Sequence, residues 1–102
     1  MGRGVPGLTE SEVQREIIDY AEAHNYIVIR MNAGKAGRYN TRLCPPGTPD
    51  LLIVGNMGCL WVEVKGPGGK LRATQDKMHD RLRGFGQNVI VAYCLEDIIG
   101  FI

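Results

Sequence analysis

Long apolar runs are absent from this 102-residue chain: the ~20 consecutive apolar residues that a bilayer-crossing helix needs occur nowhere. Met1-Gly2-Arg3-Gly4-Val5-Pro6-Gly7 also lacks the apolar core of a secretory signal, so a cytoplasmic location and no membrane partner are the expectation. Cysteine is sparse. Cys44, Cys59 and Cys94 are odd in number and scattered, with no Cys-x-x-Cys pair. They support neither a disulfide framework nor a zinc site and read as reduced, structural thiols. The two histidines, His24 and His79, are isolated and read as surface or helix-end residues rather than ligands. An excess of one charge sign is missing too: the formal net charge is +1, so global charge does not announce a nucleic-acid binder. With 44% hydrophobic and 23% charged residues, the composition argues against disorder and against a fibrous class. One domain with a single modest core fits this length. Residues 8–102 read as that domain and residues 1–7 as a flexible N-terminal segment.

What is there is organised by position. Residues 9–22 hold five acids (Glu10, Glu12, Glu16, Asp19, Glu22) against Arg15, whereas residues 30–42 hold Arg30, Lys35, Arg38 and Arg42 with no acid. Residues 66–87 carry Lys70, Arg72, Lys77, Arg81 and Arg83 against Asp76 and Asp80. Two basic zones in a near-neutral chain suit either a phosphate-tracking surface or solvated faces. Thr9 is placed to cap a helix over about 10–24, with Val13, Ile17, Tyr20 and Ala21 at helical spacing and Asn25 as a left-handed stop. A β-branched strand follows over 26–32, then a long loop over 33–48. Strands over 50–54 and 59–65 flank Gly55-Asn56-Met57-Gly58, a good hairpin connection. Leu71, Gln75, Met78 and Leu82 share one face of a helix over about 73–84. A strand over 88–93 and a short helix from Glu96 complete an α-β-β-β-α-β-(α) order, an α/β mixed sheet flanked by helices.

The chemistry concentrates in two segments. Asp50 stands at the mouth of Leu51-Leu52-Ile53-Val54, and Glu63 and Lys65 sit two apart in Leu60-Trp61-Val62-Glu63-Val64-Lys65. Strand side chains alternate, so Glu63 and Lys65 project together with Trp61, and Leu60, Val62 and Val64 project oppositely. If the two runs pair, Asp50 approaches Glu63. Two carboxylates, with the Val64 carbonyl as a third oxygen, suit Mg²⁺ or Mn²⁺. Lys65 then stands beside a water that attacks a phosphodiester in line, or beside the charge that builds in the transition state. Gly66-Pro67-Gly68-Gly69-Lys70 invites a phosphate-loop reading but lacks the required spacing and the Ser or Thr.

This arrangement, Pro49-Asp50 followed after a short hairpin by Glu63-Val64-Lys65, resembles the PD-(D/E)xK nuclease superfamily. Within it, the chain resembles a stand-alone VRR-NUC domain, the virus-type replication-repair nuclease module, over about residues 8–99. Glu10 and Gln14 in the leading helix, Arg30 and Asn32 closing a strand, Gly47-x-Pro49-Asp50, and Gln75 in the following helix support the likeness. The resemblance implies a restriction-endonuclease-like fold and metal-dependent endonuclease action on DNA, with a taste for branched structures such as four-way junctions. It further implies a homodimer and a phage-encoded protein acting in the bacterial host cytoplasm. Asp50 and Glu63 match the metal-binding acids, Lys65 the catalytic lysine and Val64 a carbonyl ligand. Gln75 matches a glutamine that buttresses the lysine or touches substrate. An extra first-helix acid falls on Glu10, with Glu16 as competitor and a plain charged surface still open for both.

Arg30, Asn32, Lys35, Arg38, Arg42 and Lys70 are the candidate DNA contacts. Tyr39 is expected to pack the loop down, and Trp61 to serve core or dimer interface. Two rival readings stay open: a non-catalytic DNA-binding or assembly module on the same fold, and a small α/β domain whose Glu63–Lys65 pair is merely a surface salt bridge.

Overall fold

The first helix, α1 (Glu10–Ala23), starts where its cap is reciprocal. Thr9 Oγ1 accepts from the Glu12 N–H at 3.2 Å, and Glu12 Oε1 accepts from the Thr9 N–H at 3.1 Å. It stops where Asn25 takes the left-handed conformation, φ 64°. The molecule is seen here in a computed structural model, which describes residues 7–31, 35–36, 41–42, 44–56 and 58–102. The expected flexible segment 1–7 therefore lies almost wholly outside the described residues.

Four strands form the main sheet in the order β1 (Ile27–Arg30), β4 (Leu51–Gly55), β5 (Gly58–Val64), β6 (Asn88–Ala92). The pairs β1–β4 and β4–β5 are antiparallel, and β5–β6 is parallel because α2 (Ala73–Gly84) makes the crossover. A short α3 (Glu96–Ile99) closes the chain. The mixed sheet between helices is the expected architecture. One addition lies in the stretch expected to be loop: β2 (Lys35–Ala36) pairs antiparallel with β3 (Thr41–Arg42) as a separate ribbon. Two-residue strands are too short to leave an alternating pattern in sequence.

The two sheet faces are unlike. One carries Leu51, Ile53, Leu60, Val62 and Val64, and α1 lays Val13, Ile17, Ile18 and Ala21 on it; Ala92 and Ile98 complete this core. Each buried Val, Leu or Ile among them contributes roughly 1.5–3 kcal/mol by leaving water. The other face, read from the pleat, carries Leu52, Trp61, Glu63 and, on β6, Val89 and Val91. α2 covers its β5–β6 end, largely with polar side chains: Gln75 and His79 are its two buried residues. Trp61 is half-buried and donates from Nε1 to Gln87 Oε1 at 3.1 Å, tying the sheet to the turn after α2.

The link between α2 and the strand that bears Asp50 is a close approach at Gly47. Its φ is +85°, and a Cβ there would be driven into the Thr74 carbonyl of α2 and would come within 3.1 Å of Met78 Cβ. Gly47→Ala is accordingly expected to lower stability by about 1–3 kcal/mol, through left-handed strain and overpacking together. Urea denaturation of both proteins measures this, and equal midpoints would refute the close approach.

Candidate active site

Asp50 is held from both sides. Its backbone carbonyl accepts from the Met31 N–H at 2.8 Å, extending the β1 edge, and its Oδ2 accepts from the Val64 N–H at 2.8 Å. Leu51 stands opposite Val62, so the antiparallel register sets Asp50 opposite Glu63 on the same face. The Lys65 N–H bonds the Ala92 carbonyl, so the main chain at 65 faces β6 while that at 64 faces Asp50. A strand residue points its N–H and C=O to the same side, which turns the Val64 carbonyl toward the Asp50 carboxylate.

Glu63 and Lys65 are buried, at 2% and 7% exposure. That rules out the surface-salt-bridge reading. Gln75 joins the two: its Oε1 accepts from Lys65 Nζ at 3.0 Å and from the Arg72 N–H at 2.9 Å, and its Nε2 donates to Glu63 Oε2 at 3.3 Å. One amide thus caps α2, whose N-cap position lacks a Ser, Thr, Asp or Asn, and buttresses the lysine as expected.

His79 corrects the sequence reading. It is not at the surface but fully buried, with Nε2 3.2 Å from Glu63 Oε1. It follows Gln75 by four residues, so both reach inward from the same helix face; that spacing was the available signal. Burial first, and then the charge of Arg83, hold the imidazole below the usual histidine range. The contact is therefore a hydrogen bond of a neutral ring, not an ion pair. His24 does lie exposed at the end of α1.

Glu63 is pushed up to about 8, by burial foremost, then by hydrogen bonding with and the charge of Asp50, with Glu10 adding to the rise and Lys65 opposing it. Of the two first-helix candidates, Glu10 is the one whose charge reaches Glu63, as the smallest of these influences. Its backbone N–H end also lies against Gly66, where an added Cβ would come within 3.2 Å of the Glu10 nitrogen. Glu10 and Glu16 are both exposed. Gln14, one turn along from Glu10, is half-buried.

The profile of the VRR-NUC domain matches residues 8–95, most of the chain. The chain belongs to the VRR-NUC domain family. A solved structure described as a VRR_NUC domain is similar to it, with 27% identity, a TM-score of 0.68, and coverage of 92% of this chain and 95% of that one. No curated protein matches. A nuclease domain of this family accounts for the mixed sheet and for the Asp50, Glu63, Lys65 grouping on one fold.

The VRR-NUC donor set fits a hard divalent cation. Burial first, and then the neighbouring Asp50 carboxylate, raise the Glu63 carboxyl, and a cation between two carboxylates relieves their mutual repulsion. Among the described residues no three His, Cys, Asp or Glu side chains gather closely enough to hold a metal unaided.

The expected DNA contacts are distributed unevenly. Lys70 is exposed just beyond the glycine turn that follows Lys65. That turn is closed by the Gly69 N–H on the Gly66 carbonyl at 3.0 Å and anchored by the Tyr93 hydroxyl on the Gly69 carbonyl at 3.0 Å. Arg30 is exposed at the site end of β1, but opposite Leu51 and hence on the α1 side of the sheet. Lys35 and Arg42 pair across the ribbon by backbone. Asn32, Arg38 and Tyr39 lie outside the described residues.

A pH dependence follows from Glu63. Folded, it holds its proton to about pH 8, whereas the unfolded chain releases it near 4.5. The folded state binds more protons between these values, so the stability this proton supplies is complete below the window, falls through it, and is gone above it. Thermal midpoints of the metal-free protein are expected to decline as pH rises across that window, and Glu63→Gln to flatten the decline. A midpoint that rises there in the parent, or an unchanged slope in the variant, would contradict the assignment.

Proposed function

We propose that this chain is a Mg²⁺- or Mn²⁺-dependent endonuclease that hydrolyses phosphodiester bonds in DNA. The observation that carries the reading is the burial of Glu63 and Lys65 together, bridged by Gln75 and opposite Asp50. Asp50, Glu63 and the Val64 carbonyl would hold the cation, with Glu10 as the further acid. Once bound, the ion supplies Lewis-acid polarisation of a phosphoryl oxygen and a more acidic water. Lys65 is held by Gln75 Oε1 at 3.0 Å, a preset position from which its ammonium orients the attacking water or offsets charge on the transferring group. The low dielectric around it strengthens that interaction.

Branched DNA is the proposed substrate, and a homodimer the proposed form, because a four-way junction offers two symmetry-related strands. An apolar strip at the sheet edge supports pairing: Ile27 is 62% and Ile29 44% exposed on the edge strand β1. They lie beside Val54 and Leu52. Arg30 and Lys70, exposed at the site end of the sheet, are the proposed phosphate contacts, with Lys35, Arg38, Arg42 and Asn32 from the preceding segment. No helix among the described residues is long and apolar enough to cross a membrane.

Labelled four-way junction, flap, duplex and single-stranded DNA, incubated with Mg²⁺, Mn²⁺ or EDTA, test the proposal. Cleavage is expected with either metal and none with EDTA. Asp50→Asn and Lys65→Ala are each expected to reduce the rate by roughly 10²–10³-fold. Metal-independent cleavage would overturn the mechanism, and binding without cleavage by the parent would make the chain a non-catalytic module. Arg30→Ala with Lys70→Ala is expected to weaken binding and to lower the salt slope by about one for each lost phosphate contact. An unaltered slope would remove both from the interface.

A further inference from the structure

The proposed chemistry makes no use of one buried group. His79 is fully buried, its Nε2 is 3.2 Å from Glu63 Oε1, and its Nδ1 is buried with no partner among the described residues. A desolvated ring nitrogen left unpaired is a standing penalty, and a leucine of similar volume would fill the place without it. Packing alone therefore does not account for an imidazole here.

The geometry around Glu63 does. The carboxylate receives one contact per oxygen from α2, with Gln75 Nε2 on Oε2 at 3.3 Å and His79 Nε2 on Oε1 at 3.2 Å. The terminal torsion of a free glutamate is broad; two fixed partners on one helix stop that rotation. The remaining lone pairs are then available on the Asp50 side. A neutral ring carries a single N–H. With a cation keeping Glu63 ionised, that hydrogen belongs on Nε2, which leaves only an acceptor bare at Nδ1, a milder deficit than a buried orphan N–H.

We propose that His79 is a positioning residue of the cation site: as the Nε2–H tautomer it holds Glu63 by Oε1, so that the carboxylate meets a divalent cation in one orientation. The inference rests on the reading of Asp50 and Glu63 as cation ligands. Outer partners of metal ligands have this role in many sites, by fixing ligand orientation.

The test is Mn²⁺ titration without DNA, by calorimetry or by electron paramagnetic resonance of the free ion, on the parent, His79→Leu and His79→Gln. Leucine keeps the volume without a donor, and the glutamine amide can reach Oε1 as Nε2 does. His79→Leu is expected to bind Mn²⁺ roughly 10–100-fold more weakly, and His79→Gln to bind close to the parent. The metal-free leucine variant is expected to melt at or above the parent, having lost the unpaired nitrogen. A merely structural histidine would give the reverse, a less stable leucine variant with unchanged affinity. A folded leucine variant that binds like the parent, or a glutamine variant as weak as leucine, overturns the proposal. A parent that binds no Mn²⁺ overturns the cation reading and this inference with it. Should His79→Leu fail to fold, long-range ¹H–¹⁵N spectra of the Mg²⁺-loaded parent decide: an Nε2–H ring is expected, and an Nδ1–H ring overturns the assignment.

Discussion

The structure turns on keeping a carboxyl group and an ammonium out of water at the edge of a small core. Glu63 and Lys65 project from the face of β5 that α1 does not cover, and α2 closes over them. Buried ionisable groups are tolerated only with partners. Here the partners come largely from one helix: Gln75 serves both, and His79 reaches Glu63. That requirement explains why α2 buries an amide and an imidazole where a purely structural helix would bury an apolar stripe. It also explains the glycine at position 47, since α2 must sit close to the segment leading into Asp50.

The same constraint shapes the electrostatics. Asp50 and Glu63 face each other in register, and their repulsion with burial holds a proton on Glu63 well above the usual carboxylate range. Buried ionisable groups held this way contribute less to the stability of the fold than apolar replacements of similar volume would. The α1 side of the sheet, an uninterrupted apolar layer, supplies the stability that the α2 side does not.

Much of this was legible in the chain. The alternation of Leu60, Val62 and Val64 against Glu63 and Lys65 assigned opposite faces correctly, because strand parity is a property of the backbone alone. Thr9, Asn25 and the Gly55–Gly58 connection marked element ends through local conformational preference, and each stands where expected. Gln75 was placed beside Lys65 by resemblance. The β2–β3 ribbon was not legible, since two residues carry no period. The burial of His79 was signalled only by its spacing of four residues from Gln75, which gives no sign of what it meets across the interface.

By itself, then, the sequence determined the helices and the strands of the main sheet, their order and the faces of each strand. All of these depend on neighbours within a few residues, where period and propensity act. Only the tertiary structure decided which distant groups share the buried space: that one glutamine bridges the lysine and the acid, and that His79 faces the carboxylate. Those pairings arise from how α1 and α2 dock on opposite faces of the sheet. Their energies depend on burial and on separations through space, which chain spacing does not encode.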